Sequence, residues 1–286
     1  MKKIVAIHDV IAEKYPVLIF PNRINRTLWN LKVWLAIKQA DLIMTVSEFS
    51  RQGIIEHFGI SGENIRVVSE AADKDFRPIH ETNLLSDKLV PFGLDISTRY
   101  ILYVGGIAPH KNLSTLINAY SGLIKDSRHN DIKLVLVGDY ESDVFLVDNN
   151  LKVLIKKLHI TDNVIFTGFI SDEELVCFYN AALVFVLPSF MEGFGLPAVE
   201  AMACGTPVIG SKTTALPEVV GEAGLFFDPN KPDELLEHLT IIIENGELRK
   251  KLALRSIQRA STFSWQKSAV QVLNVFNNLR ANGTIS

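Results

Sequence analysis

Two glutamates eight positions apart bracket the most unusual stretch of this sequence, Glu192-Gly-Phe-Gly-Leu-Pro-Ala-Val-Glu200. Two glycines followed by a proline suited to the first turn of a helix describe a loop whose backbone amides can wrap a diphosphate. The flanking carboxylates accept hydrogen bonds from hydroxyls, which suits sugar and ribose rather than phosphate. Dipole stabilisation at a helix start, about 0.3–1 kcal/mol, would account for Glu200 alone but not for the pair around this loop. A second group of this kind lies earlier, where Gly105-Gly106 runs into Ala108-Pro-His-Lys111-Asn112. The glycines let backbone approach a ligand, Asn112 has the type of an N-cap, and Lys111 then stands at a helix start. A lysine beside free N–H groups is an anion site, most often for phosphate, although a solvated surface lysine has the same local pattern.

The elements that must position these residues repeat between Tyr100 and Phe227. The runs Tyr100–Val104, Ile132–Val137, Val164–Phe166, Leu183–Leu187, Pro207–Ile209 and Leu225–Phe227 are almost continuously apolar, as strands covered on both faces should be. Helical spacing separates them: Leu113, Leu116, Ile117 and Tyr120 share a face, as do Leu151, Leu154, Ile155 and Leu158. Ser171-Asp-Glu-Glu174 has the form of a capping box. Such alternation predicts a parallel, doubly wound α/β sheet. Four of its strands end at Gly105-Gly106, Gly138-Asp139, Gly168-Phe169 and the Glu192 loop. Ligands bind beyond the carboxyl ends of such strands, so these turns describe one cleft edge.

After Asp228-Pro229 the pattern is helical, over Asp233–Ile243, Leu248–Ala260 and a last helix after Ser264 marked by Trp265, Val270, Leu273 and Phe276. Residues 1–78 form a smaller unit with strands at Ile4–Ile7, Leu42–Val46 and Ile65–Val68 and helices at Ile24–Lys38 and Ser47–Phe58. Glu70–Pro78 reads as a linker. The helix at Ile24–Lys38 carries Arg26, Lys32, Lys38, Trp29 and Trp34. It reads as an amphipathic helix with its tryptophans in the core, the alternative being a helix lying on an anionic membrane surface.

Composition narrows the function classes. The chain has 286 residues, 48% of them hydrophobic, with mean hydropathy +0.19 and net charge −3. It can bury a large core, and the charge argues against a nucleic-acid binder held by bulk electrostatics. Cys177 and Cys204 are too few for a disulfide framework and fit a reducing compartment. The longest apolar run, Ala181 to Leu187, falls far short of the ~20 residues a bilayer needs. The N-terminal apolar stretch is shorter than the ~7–15 residues of a signal-peptide core, so a cytoplasmic location is expected.

The Glu192–Glu200 segment, continued by Ala201-Met-Ala-Cys-Gly205-Thr-Pro-Val, closely resembles the Glu-x7-Glu signature of glycosyltransferase family 4, retaining enzymes of the GT-B fold that use nucleotide sugars. The likeness extends through Tyr103-Val-Gly-Gly-Ile-Ala-Pro-His-Lys111-Asn, Leu136-Val-Gly138, Val164-Ile-Phe-Thr-Gly168, Leu216-Pro-Glu218 and Phe227-Asp-Pro229, and it covers essentially the whole chain. It implies a GT-B architecture: a Rossmann-like domain for a nucleoside-diphosphate sugar at 79–262, an incomplete N-terminal acceptor-side α/β domain at 1–78, and a helix at 263–286 returning towards that domain. By the same resemblance Glu192 holds donor-sugar hydroxyls, Glu200 the nucleotide ribose, and Lys111 neutralises the diphosphate. Gly105 and Gly106 line the donor site, Gly193, Phe194, Gly195 and Leu196 offer backbone to phosphate and sugar, and Gly168-Phe169 lies at the nucleobase. Val5-Ala-Ile-His8-Asp9 with Tyr15-Pro16 resembles the segment whose histidine faces the donor sugar, which makes His8 a candidate catalytic residue beside Lys111 and Glu192.

One position departs from the pattern. Gly106 stands where many members carry an arginine, which leaves Lys111 without its usual cationic partner; neighbouring His110 reads as exposed. The resemblance implies no cofactor beyond the nucleotide sugar as substrate and no metal, since Asp73-Lys-Asp75 falls in the linker. It implies a glycan or lipid-linked acceptor, no nucleic acid, and peripheral association with the inner face of a membrane. The N-terminal unit is short for a doubly wound domain of ~150 residues. The count therefore reads as a truncated form or as a chain completed by a partner subunit or by self-association, and the alternative function is a nucleotide-sugar binder without catalysis.

Overall fold

The computed structural model describes residues 2–139 and 150–281. Three short parallel strands, β1 (Ile4–Ala6), β2 (Leu42–Thr45) and β3 (Ile65–Val67), make the first sheet in the order β1-β2-β3. Around it lie helices α1 (Ile11–Lys14), α2 (Pro16–Ile19), α3 (Arg23–Gln39) and α4 (Glu48–Phe58). Ser47 caps α4 by accepting the Ser50 N–H, and Gly59 ends it in the left-handed conformation that glycine adopts at low cost.

The larger sheet has six parallel strands: β4 (Tyr100–Val104), β5 (Lys133–Val137), β6 (Val164–Gly168), β7 (Val184–Leu187), β8 (Val208–Ser211) and β9 (Gly224–Phe227). Its helices are α5 (Thr82–Leu89), α6 (Leu113–Leu123), α7 (Asn150–Lys157), α8 (Asp172–Ala181), α9 (Leu196–Ala203), α10 (Leu216–Val220), α11 (Pro232–Glu244), α12 (Gly246–Ala260) and α13 (Trp265–Ala281). The predicted strands lie within a residue or two of these bounds. The capping box forms: the Ser171 hydroxyl accepts the Glu174 N–H while the Glu174 carboxylate accepts the Ser171 N–H.

Strand order is β6-β5-β4-β7-β8-β9. The chain builds outward from β4 in one direction, then returns to its other side at β7. Loops leaving β4 and β7 therefore diverge and open a crevice at the strand ends, the usual ligand position of a doubly wound sheet. Those loops carry Lys111 and Glu192.

Two apolar clusters hold the molecule together, and each borrows residues from the other sheet. The larger is built on fully buried β4, β5, β7 and β8 side chains, with Val46 and Phe49 of the smaller unit packed into it. The smaller joins Val10, Ile43, Ile54 and Ile65 to Met191, which comes from the loop after β7. The last helix meets the first unit where the Ser268 hydroxyl donates to the Ser69 carbonyl at 2.6 Å.

One expectation about apolar faces changes. No residue of α3 is buried, and Trp29 and Trp34 stay 38% and 54% exposed rather than entering the core. The helix meets the smaller cluster through Ile37 near its end, and a sheet of three short strands offers no apolar face to the tryptophans. In α13 the residues Trp265, Val270, Leu273 and Phe276 are about half exposed, and Val275 and Ser268 are the buried positions.

Candidate functional site

Lys111 reaches the crevice from a single 3-10 turn, Pro109–Lys111, between β4 and α6. Glu192 reaches it from the loop after β7. The lysine ammonium donates to the Glu192 Oε1 at 2.8 Å, and the Ser189 hydroxyl donates to the same oxygen at 2.6 Å. Glu192 is 7% exposed, so the charge is sheltered but paired. Its backbone is tied down as well, for its carbonyl accepts the Ala215 N–H at 3.2 Å. Asn112 does not cap α6 through its side chain. It adopts a left-handed conformation at φ 55°, and its amide donates to the carbonyls of Pro188 and Pro229 at 3.1 and 2.7 Å. It thus fastens the loop after β4 to the loop after β7.

A cavity of about 520 Å³ opens beside this pair. Gly105, Gly106, Lys111 and Phe169 line it together with Asp139 and Asp172. Phe169 stands at its mouth, 91% exposed. Gly138 shows why glycine is required here: at φ 151° a Cβ would come within 2.0 Å of the Gly105 carbonyl oxygen, so any side chain would part the two strand ends. Gly168 lies just outside the lining, its carbonyl accepting the Gly138 N–H at 3.2 Å.

His110 is half-buried in the same wall, not exposed. Burial, reinforced by the adjacent Lys111 charge, pushes its imidazole down to about 4. It is neutral near pH 7 and adds no second cation beside Lys111.

Glu200 is the fifth residue of α9, beyond its first turn. The fully buried Tyr179 hydroxyl donates to its Oε2 at 3.0 Å. Burial pushes this carboxyl up to about 6, an effect that the Tyr179 bond opposes and the Asp172 charge adds to. Leu196 opens the helix, and Gly195 and Phe194 lead into it, with the Phe194 ring edge-on to Phe263 at 5.5 Å.

His8 is placed differently from its neighbours in the prediction. Its imidazole is 64% exposed, and its Nδ1 lies 3.3 Å from the Glu70 Oε1. What it brings to the site is its backbone: a Cβ on Gly193 would meet the His8 carbonyl oxygen at 2.9 Å and the Asp9 Cβ at 2.8 Å. Asp9 is the residue of this segment that senses the site. Burial, then the Glu192 and Glu13 charges, holds its carboxyl above the usual range against a hydrogen bond from the Ile11 N–H. Sequence reasoning passed over Asp9, Tyr179 and Ser189. Only Asp9 carried a signal, as the immediate neighbour of His8 in the quoted motif.

With this geometry in place, comparison with known proteins becomes informative. The family model described as glycosyl transferases group 1 matches residues 91–259, more than half of the chain. The chain belongs to this family. Among curated relatives it is 36% identical over 246 residues to the O-antigen chain mannosyltransferase B of Escherichia coli, covering 85% of this chain and 62% of that protein. It is 27% identical over 251 residues to the D-inositol 3-phosphate glycosyltransferase of Corynebacterium glutamicum, covering 87% of this chain and 60% of that one. The chain thus spans about three-fifths of the length of these two relatives. Among solved structures, Anabaena HepE in complex with UDP-glucose superposes with TM-score 0.82 at 21% identity, over 97% of this chain and 72% of that one. That likeness shows the fold, a group 1 member with the parallel α/β architecture of GT-B glycosyltransferases.

Proposed function

We propose that this group 1 member is a retaining, metal-independent glycosyltransferase of family 4. It moves a hexosyl group, of the mannosyl class, from a nucleoside-diphosphate sugar to a hydroxyl of a glycan or lipid-linked acceptor. The observation that carries this reading is the Lys111–Glu192 pair at the crevice, where a cation for diphosphate and a hydroxyl acceptor for sugar lie 2.8 Å apart. When donor enters, the phosphate takes Lys111 and a sugar hydroxyl takes Glu192. The acceptor oxygen bonds to the anomeric carbon as the bond from that carbon to the diphosphate breaks. The acceptor proton passes to a leaving phosphate oxygen. Lys111 and the amides of Gly193 to Leu196 stabilise the charge that builds on the diphosphate. Glu200 holds the ribose, Phe169 borders the base, and His8 faces the sugar from the smaller unit once donor is bound.

The mannosyl class is supported by the name of the Escherichia coli relative. Peripheral membrane association is supported by α3, which carries four basic and no acidic side chains with both tryptophans exposed. The same exposed face supports the second reading, a nucleotide-sugar binder that needs a partner chain for turnover.

The test is a panel of nucleotide sugars assayed for donor hydrolysis and transfer, beside calorimetry with free nucleotides. Glu192→Ala is expected to lower turnover by about a hundredfold or more while nucleotide affinity stays within a few-fold. Full activity in that variant would sink the assignment. Tight nucleotide binding without turnover in the wild-type chain would favour the second reading.

A further inference from the structure

The loop that presents Glu192 leaves the larger sheet, yet its neighbours belong to the smaller one. Met191, the residue before Glu192, is 2% exposed and sits in the cluster of Val10, Ile43, Ile54 and Ile65. Gly193, the residue after it, gives its carbonyl to two hydroxyls at once. Ser47 donates to it, and Ser50 donates to it at 2.9 Å. Both serines are buried. The missing Cβ of Gly193 is what lets the loop lie against the His8 carbonyl and the Asp9 side chain. The loop is therefore gripped on both sides of Glu192 by residues more than a hundred positions away in sequence.

The grip is itself held from the larger sheet. Glu218 of α10 accepts the Glu48 and Phe49 N–H groups at 2.9 Å each, one on either carboxylate oxygen, at the start of α4. A carboxylate across two free N–H groups at a helix N-terminus is favourable both as hydrogen bonding and against the helix dipole. Ser47 caps that same turn, so Glu218 fixes the orientation from which Ser47 and Ser50 reach Gly193.

We propose that Ser47, Ser50 and Glu218 are positioning residues for Glu192, making the geometry of the donor loop conditional on the seating of α4. The inference rests on the reading of Glu192 as a donor-sugar residue. Ordinary packing between two sheets needs only apolar contact. A single carbonyl saturated by two buried hydroxyls is a specific device, because it spends both lone pairs of that oxygen on one element. Its place directly beside the proposed sugar ligand is what gives it a consequence. If α4 unseats, the loop loses both hydrogen bonds, and Glu192 can leave Lys111 without any change to the larger sheet.

Amide hydrogen exchange on the whole chain tests this with no ligand present. In Ser50→Ala, and separately in the surface variant Glu218→Gln, the amides of residues 189–195 are expected to exchange about tenfold or more faster than in wild type, with β4 and β5 unchanged. A donor turned over by the wild-type chain is expected to show kcat lowered about tenfold while the affinity for its free nucleotide stays within twofold, a split that general destabilisation would not give. Loop exchange within twofold of wild type in both variants would overturn the proposal, as would unchanged kcat in a loosened loop. Should Glu192→Ala turn out fully active, the reading of the donor site fails instead, and the exchange comparison still decides whether the grip exists.

Discussion

At the scale of single residues the site is a balance of burial against pairing. The Lys111 and Glu192 side chains are 21% and 10% exposed, so each depends on the other for compensation. Removing one partner of such a pair strands the second charge. Lys111→Met should therefore lower unfolding free energy by about 3 kcal/mol, read from the urea midpoint, and adding Glu192→Leu to it should restore most of that loss. A single variant as stable as wild type would show that solvent already screens the pair. Glu200 makes the pH prediction. Its carboxyl, pushed up to about 6 by burial, is charged only above that pH. On the proposed role of Glu200 as ribose ligand, a charged carboxylate is the stronger acceptor for the hydroxyl, so donor KM should rise as pH falls through 6. Tyr179→Phe removes a hydrogen bond that favours the charged form and should move the inflection to higher pH, whereas Glu200→Gln should flatten it. Donor KM profiles across the mildly acidic range read all three.

At the scale of elements, what could be read beforehand was what depends on local pattern. Buried parallel strands announce themselves as continuous apolar runs, and Ser171 with Glu174 spells its own cap. The short helices α1, α2 and α5 went unseen, since one or two turns give no stripe to detect. The tryptophans of α3 were misplaced because an apolar stripe predicts a covering partner and cannot show that the three-stranded sheet offers them no apolar face. Glu192, Lys111 and Gly193 were legible as residue types, but what holds them was not. Asn112 illustrates why. Its type fits a cap, and its actual partners, the carbonyls of Pro188 and Pro229, lie 76 and 117 positions away. Asn112→Ala should cost about 3 kcal/mol: the buried Pro188 carbonyl loses its donor, the Pro229 carbonyl is left with the Thr115 hydroxyl alone, and alanine is strained at φ 55°. Asn112→Gly should recover only the strain, roughly 1 kcal/mol, so urea midpoints ordered wild type, then glycine, then alanine would check the assignment.

At the scale of the whole molecule the two sheets are not independent bodies joined by a linker. Met191 crosses into the smaller cluster and Val46 and Phe49 cross into the larger, so neither core is complete without the other. Melting the smaller unit would expose Met191 and release Gly193, and melting the larger would leave Val46 bare. Unfolding should accordingly be a single cooperative transition by calorimetry, with equal calorimetric and van't Hoff enthalpies. A nucleotide sugar bound only at the larger sheet would then stabilise everything. At a hundredfold excess over Kd it contributes about 2.7 kcal/mol by mass action, an upward Tm shift of roughly 4–5 °C for a chain of this size. In a Trp265→Phe background, secondary-structure and tryptophan-fluorescence melts should move together, because Trp29 and Trp34 then report from the smaller unit alone and the circular dichroism is dominated by the larger. If fluorescence melts first and ignores the ligand while the dichroism shifts, the sheets unfold separately and the crossing residues are contacts without consequence for cooperativity.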